Sequence, residues 1–143
     1  MDIQYYLHRL FELKRLLDQL QQDNTIFTAA AEAVVIFNPK GKVIRANPAA
    51  EALFGLDPVG LDQQELTKIV SMRNPDGSPV EVEQLPSEQA IHGAGVNKQR
   101  LLLIDHKGLE RIIHISASPV KIEAEISSVV TIWQDDTERE RLR

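Results

Sequence analysis

Four histidines, His8, His92, His106 and His114, a serine at Ser116, and two adjacent carboxylates, Asp135 and Asp136, are the side chains here with most chemistry to offer. On a strand, His114 and Ser116 project to the same side and could share a hydrogen bond, the beginning of a base–nucleophile pair. No third orienting group, nucleophile elbow or oxyanion loop accompanies them, so alternation of Ser and His on a solvated strand face is the ordinary reading. Histidine also ligates haem iron, but none of the four sits well. His8 lies on a helix, His106 in a turn and His92 beside Gly93 at a helix end, while His114 faces away from its neighbours Ile113 and Ile115. The paired aspartates could bind a metal, yet they directly precede a helix that needs caps, and capping is what aspartate does there. Cysteine is absent. That removes disulfides, thiolate metal sites, thiol nucleophiles and any flavin photochemistry that runs through a cysteinyl adduct. No glycine loop that would cradle phosphate is present. The expectation is therefore a chain with no catalytic residues, no metal and no enzymatic activity of its own. No cofactor is assigned: haem and covalent flavin are disfavoured, and a non-covalent flavin stays open.

The elements that carry these residues follow from the bulk numbers and the spacing. The 143 residues suit one domain plus an appended helix. Apolar residues make up 43% and charged residues 26%, the balance of a packed globular chain. The formal net charge is -5, and no Lys/Arg cluster exceeds a pair. Counterion release thus has little to work with, and nucleic acid is excluded as an expected partner. No apolar run is long enough to cross a bilayer and no signal-peptide pattern opens the chain, so no membrane insertion and a cytoplasmic location are expected.

Ile3, Tyr6, Leu10, Leu13, Leu17 and Leu20 recur at three-four spacing, which places them on one helical stripe and predicts a heptad seam for homodimerisation. The plainer alternative is that this helix packs on its own domain. The register continues to Asn24 and Phe27, although Asn24 and Thr25 equally suit a break; Arg9 and Lys14 would face each other in a parallel pair. Strands are predicted at 33–37 and 43–46 around the turn Asn38-Pro39-Lys40-Gly41. Asn47 is a helix cap with Pro48 at the first helical position, and the helix ends at Gly55. A second short helix within 61–72 would use Leu66, Ile69 and Val70 on one face. Pro86 opens a third, which stops at Gly93. Strands follow at 98–104, 111–120 and 126–133. Asp135, Asp136 and Thr137 then start a new helix, with Glu138 and Glu140 at capping-box spacing. Two strands, short helices and three more strands give an α+β fold, a five-stranded antiparallel sheet with helices on one face.

This order resembles the PAS fold. Asn47-Pro48-Ala49-Ala50-Glu51-Ala52-Leu53-Phe54-Gly55 resembles the N-x-A-A-x-x-L-F/L-G signature of that family. Asp135-Asp136-Thr137-Glu138-Arg139 resembles its D-I-T-E-R exit motif, with Asp136 in place of isoleucine. Pro75-Asp76-Gly77-Ser78-Pro79, Leu85-Pro86 and Gly93 resemble a PAS subgroup common in bacterial sensor histidine kinases and related receptors. The D-x-x-G turn before the last strand is missing: Lys121-Ile122-Glu123-Ala124-Glu125 has no glycine, and a longer or differently bent loop is expected. The resemblance implies an amphipathic helix over 1–24, a PAS domain over 25–136 and the start of a signalling helix over 137–143, with a covalently linked output domain beyond. It implies a sensory module of a two-component system that senses a signal or relays it through dimeric helices; a ligand-free dimerisation module is the alternative. Wall residues for a small-molecule pocket would be Val35, Phe37, Phe54, Leu102, Ile104, Ile113, Ile115 and Trp133, which otherwise fill the core. Asp135 and Thr137 would couple the sheet to the exit helix.

Overall fold

The computed structural model describes residues 2–142, and of residues 19–24 only the backbone path. Helix α1, Ile3–Ala29, is followed by strands β1, Ala33–Phe37, and β2, Val43–Ala46. Three short helices come next: α2, Pro48–Phe54, α3, Gln63–Ile69, and, after a single 3₁₀ turn, α4, Pro86–Ile91. Strands β3, Val96–Ile104, β4, Glu110–Ile122, and β5, Glu125–Asp135, lead into α5, Thr137–Arg141. The strands form one antiparallel sheet in the order β2-β1-β5-β4-β3.

Local chemistry sets these boundaries. The buried Asn47 accepts at Oδ1 from the Ala50 N–H, 3.0 Å, and from the Val34 N–H, 2.9 Å, while its Nδ2 donates to the Glu32 carbonyl at 2.9 Å. One side chain thus caps α2 and fixes where β1 begins. Gly55 closes α2 at φ 76, returning its N–H to the Glu51 carbonyl, a left-handed conformation that glycine adopts without a Cβ penalty. The helical layer covers one sheet face, and the core between them holds Val35, Phe37, Val43, Phe54, Leu66, Val70, Met72, Leu85, Leu101, Leu103, Ile113, Ile115, Val129 and Trp133.

Several expectations need correction. Helix α1 runs unbroken through Asn24 and Thr25 to Ala29 and so passes the boundary expected at residue 24. Ile69 does not share the inner face of α3 with Leu66 and Val70 but is 45% exposed. The glycine-free turn before β5 is no longer loop: β4 and β5 pair as far as Ile122 and Glu125, leaving only Glu123 and Ala124 between them, both at positive φ. Positive φ at both central residues is the geometry of a two-residue type I′ hairpin turn, and pairing of the two long strands holds it there. Neither capping box forms at α5. Asp136 sits at the N-cap position with no side-chain bond to the helix.

Candidate functional site

Six of the eight expected wall residues, Val35, Phe37, Phe54, Ile113, Ile115 and Trp133, lie in the buried core. Leu102 and Ile104 do not: Leu101 and Leu103 are the buried residues of β3, and their partly exposed neighbours point to the other face. The run Leu101-Leu102-Leu103-Ile104 is apolar on both faces, so hydrophobicity alone gives no phase. The phase comes from pairing, with Leu101 opposite the core residue Ile113, after a register shift between Val96 and Gln99 where Lys98 takes φ 55.

The interior is almost filled. A cavity of about 20 Å³, bordered by α3, α4 and the sheet, has room for one water molecule. Its wall includes Phe37, Leu66, Ile115 and Trp133, but also Gln63, Ser87 and Thr131, polar residues that the sequence reading missed. Gln63 does carry a signal, since it precedes Leu66 by three residues and Val70 by seven on one helical face. Trp133 packs edge-on against Phe54 with centroids 5.2 Å apart, and its Nε1 donates to Thr131 Oγ1 at 2.8 Å. Thr131 Oγ1 in turn donates to the Val35 carbonyl at 2.8 Å. Ser87 donates to Gln63 Oε1, and Gln63 Nε2 donates to Glu88 at 2.6 Å. Gly41 matters here: a Cβ at that position would lie 2.6 Å from Gln63 Nε2, and φ there is +84. On the protein surface, an open groove of about 380 Å³ shares Thr67, Met72 and Leu85 with the cavity wall.

No histidine lines the interior cavity. His8 pairs with Glu12 and His92 with Glu88, each within one turn of helix, and His106 lies beside Gly55 in the β3–β4 turn. His114 and Ser116 make no mutual bond. His114 Nδ1 is bonded to Asp136, and Ser116 Oγ accepts from the Lys98 N–H at 3.1 Å. Haem or flavin does not fit a one-water cavity, and no cluster of three or more ligand residues able to hold a metal occurs among the described residues.

At the exit, Thr137 Oγ1 donates to Asp135 Oδ1 and accepts from the Ile112 N–H at 2.9 Å, while the Asp136 N–H donates to the Ile112 carbonyl at 2.9 Å. Arg111 lies 3.8 Å from Asp135 and donates at 2.9 Å to Asp105. The Leu109 N–H, and after it the Arg111 guanidinium, hold the Asp105 carboxyl below the usual carboxylate range.

A family model described as a PAS domain matches residues 31–138. The chain belongs to the PAS domain family. None of the curated proteins matches it. Among solved structures, the PAS domain of an HTR-like protein from Haloarcula marismortui is similar at 16% identity and TM-score 0.62, over 87% of this chain and 97% of that one. A domain of a sensory box sensor histidine kinase/response regulator from Geobacter sulfurreducens is similar at 14% identity and TM-score 0.55, over 84% and 96%. VqmA bound to DPO, from Vibrio cholerae, is similar at 16% identity and TM-score 0.60, over 80% of this PAS chain and 57% of that protein. These likenesses establish a common PAS fold.

Proposed function

We propose that this PAS domain is a cytoplasmic relay module of a signal-transduction protein of the sensor histidine kinase kind, that it pairs with a second copy through α1, and that it acts without catalysis of its own. One observation carries the reading. Every described residue of α1 from Ile3 to Asp18 is exposed, including Leu10 at 62% and Leu17 at 63%. Over residues 3–18 the helix keeps its apolar side chains in solvent, a stripe awaiting a partner, and the heptad spacing of Ile3, Tyr6, Leu10, Leu13 and Leu17 suits a second copy of itself. The side chain of Leu20 lies outside the described residues. At its far end α1 is anchored, because Phe27 is half-buried beneath the Arg45 guanidinium, 4.1 Å from the ring centroid. Rotation of a paired α1 would thus act on the β1–β2 edge, and the Asp135–Thr137–Ile112 bonds would pass a change in the sheet to α5 and a linked output domain. Similarity to a sensor histidine kinase domain supports that setting. No described helix is long and apolar enough to cross a membrane. Sedimentation of the chain beside Leu10→Asp/Leu17→Asp is the test: a dimeric parent and a monomeric variant are expected, and an equal mass for both contradicts the pairing.

A second reading, ligand sensing, is favoured by the polar wall of Gln63, Ser87 and Thr131 beside an open groove. A small polar molecule admitted there would have to displace one water and exchange its hydrogen bonds. A thermal-shift screen would show stabilising compounds if so, since a ligand of the native state raises the melting temperature.

A further inference from the structure

We infer that His114 is a proton-dependent latch which holds the exit helix α5 against the sheet. Asp136, which sequence patterning assigns to a cap, makes no side-chain bond to α5 and bonds His114 Nδ1 on β4 instead, while Asp135 Oδ1 accepts from the first N–H of the helix, that of Thr137, at 3.0 Å. The other ring nitrogen, Nε2, faces Glu140 Oε1 at 3.5 Å. Glu140 is held in turn by Arg100, whose Nη2 donates at 2.6 Å and whose Nε donates at 3.1 Å to the same carboxylate. The imidazole is mostly shielded, with its side chain 19% exposed.

Every charged group shown in contact with His114 belongs to this chain of four. Asp136 and Glu140 come from α5. Arg100 is the cross-strand partner on β3, and the partner on β5 is the neutral Gln134. A neutral imidazole has one N–H, and an imidazolium has two. Only the imidazolium donates to both carboxylates, and only then do the signs alternate along Asp136, His114, Glu140 and Arg100. The neutral ring turns a lone pair toward one of the two carboxylates. The bonds at Ile112 do not depend on this proton. They form a hinge at the start of α5, and the contacts of Glu140, one turn on, form the latch. Loss of the imidazolium proton removes one of the two donated bonds and loosens the latch while the hinge persists. The Arg100–Glu140 pair limits the opening. This device concerns α5 alone and stands whether or not α1 pairs.

The test is NMR of the chain from pH 5.5 to 8.5. It follows the Cα shifts of residues 138–141 and the ring nitrogens of His114. At low pH both ring nitrogens should carry protons and α5 should be most helical. Its ratio of docked to undocked forms should fall by about threefold to tenfold on raising the pH, as expected for losing one charge-assisted hydrogen bond that is partly solvent-screened. In His114→Gln, which has a single donor group, the α5 shifts should no longer follow pH, whereas His92→Gln should keep the response. Glu140→Gln should weaken it without touching the Asp136 bond, and it serves as the deciding variant if His114→Gln does not fold. A flat profile in the parent chain, an unchanged response in His114→Gln, or, where that variant does not fold, an unchanged response in Glu140→Gln overturns the latch.

Discussion

The indole of Trp133 is buried beside Phe54 with one polar atom to satisfy, and Thr131 satisfies it while bonding β1. Thr131→Val keeps the shape and removes the acceptor, so it should cost about 1–3 kcal/mol in urea denaturation. A second consequence concerns acid. Backbone N–H groups, chiefly those of Glu65 at Asp62 and Leu109 at Asp105, and the Ser78 hydroxyl at Asp76, hold these three carboxyls below their usual range. A carboxyl lowered in the folded chain adds stability that is present in full above its unfolded value of about 4, and that is lost as pH falls through the folded one. The urea midpoint should therefore drop from pH 5 toward pH 3, and the drop should be shallower in Asp105→Asn. At this scale the sequence was only partly legible. Val35, Phe37 and Trp133 were expected inside from the family resemblance and are buried, but the all-apolar run Leu101–Ile104 concealed its own phase. His114 and Asp136 are 22 residues apart, and nothing local pairs them.

The elements were easier to read, because their ends are written in residues with narrow conformational habits. Asn47, Pro48 and Gly55 bracket α2, and Pro86 opens α4, where each was expected. At the β4–β5 turn the missing glycine suggested a longer or differently bent loop, and the turn is not longer. Cross-strand pairing over the whole hairpin instead forces Glu123 and Ala124 into the left-handed region. That strain is removable. Glu123→Asn with Ala124→Gly, the pair that such a turn prefers, should raise stability by about 1–2 kcal/mol with little change elsewhere, as read from the melting temperature. At the sheet exit, Thr137→Ala removes the acceptor for the Ile112 N–H and a donor to Asp135, and should cost about 0.5–2 kcal/mol. A variant with unchanged melting and unchanged α5 shifts would remove this residue from the coupling.

At the scale of the whole molecule, the closed core and the bare N-terminal helix describe one design: a domain that has little room inside and has its largest unsatisfied apolar surface on α1. The heptad stripe was legible from spacing alone. Its exposure was not, because a stripe of that width serves equally well for packing on the chain's own domain, and only the fold separates the two. The absence of cysteine makes the central claim directly testable. A single Leu10→Cys places one thiol at a seam position, and Glu12→Cys places one away from it. Under mild oxidation, a parallel pair of α1 helices brings two seam thiols within disulfide reach, so Leu10→Cys should convert to covalent dimer and Glu12→Cys should stay monomeric on non-reducing gels. Equal conversion of both variants, or none in Leu10→Cys, would contradict parallel pairing through this face.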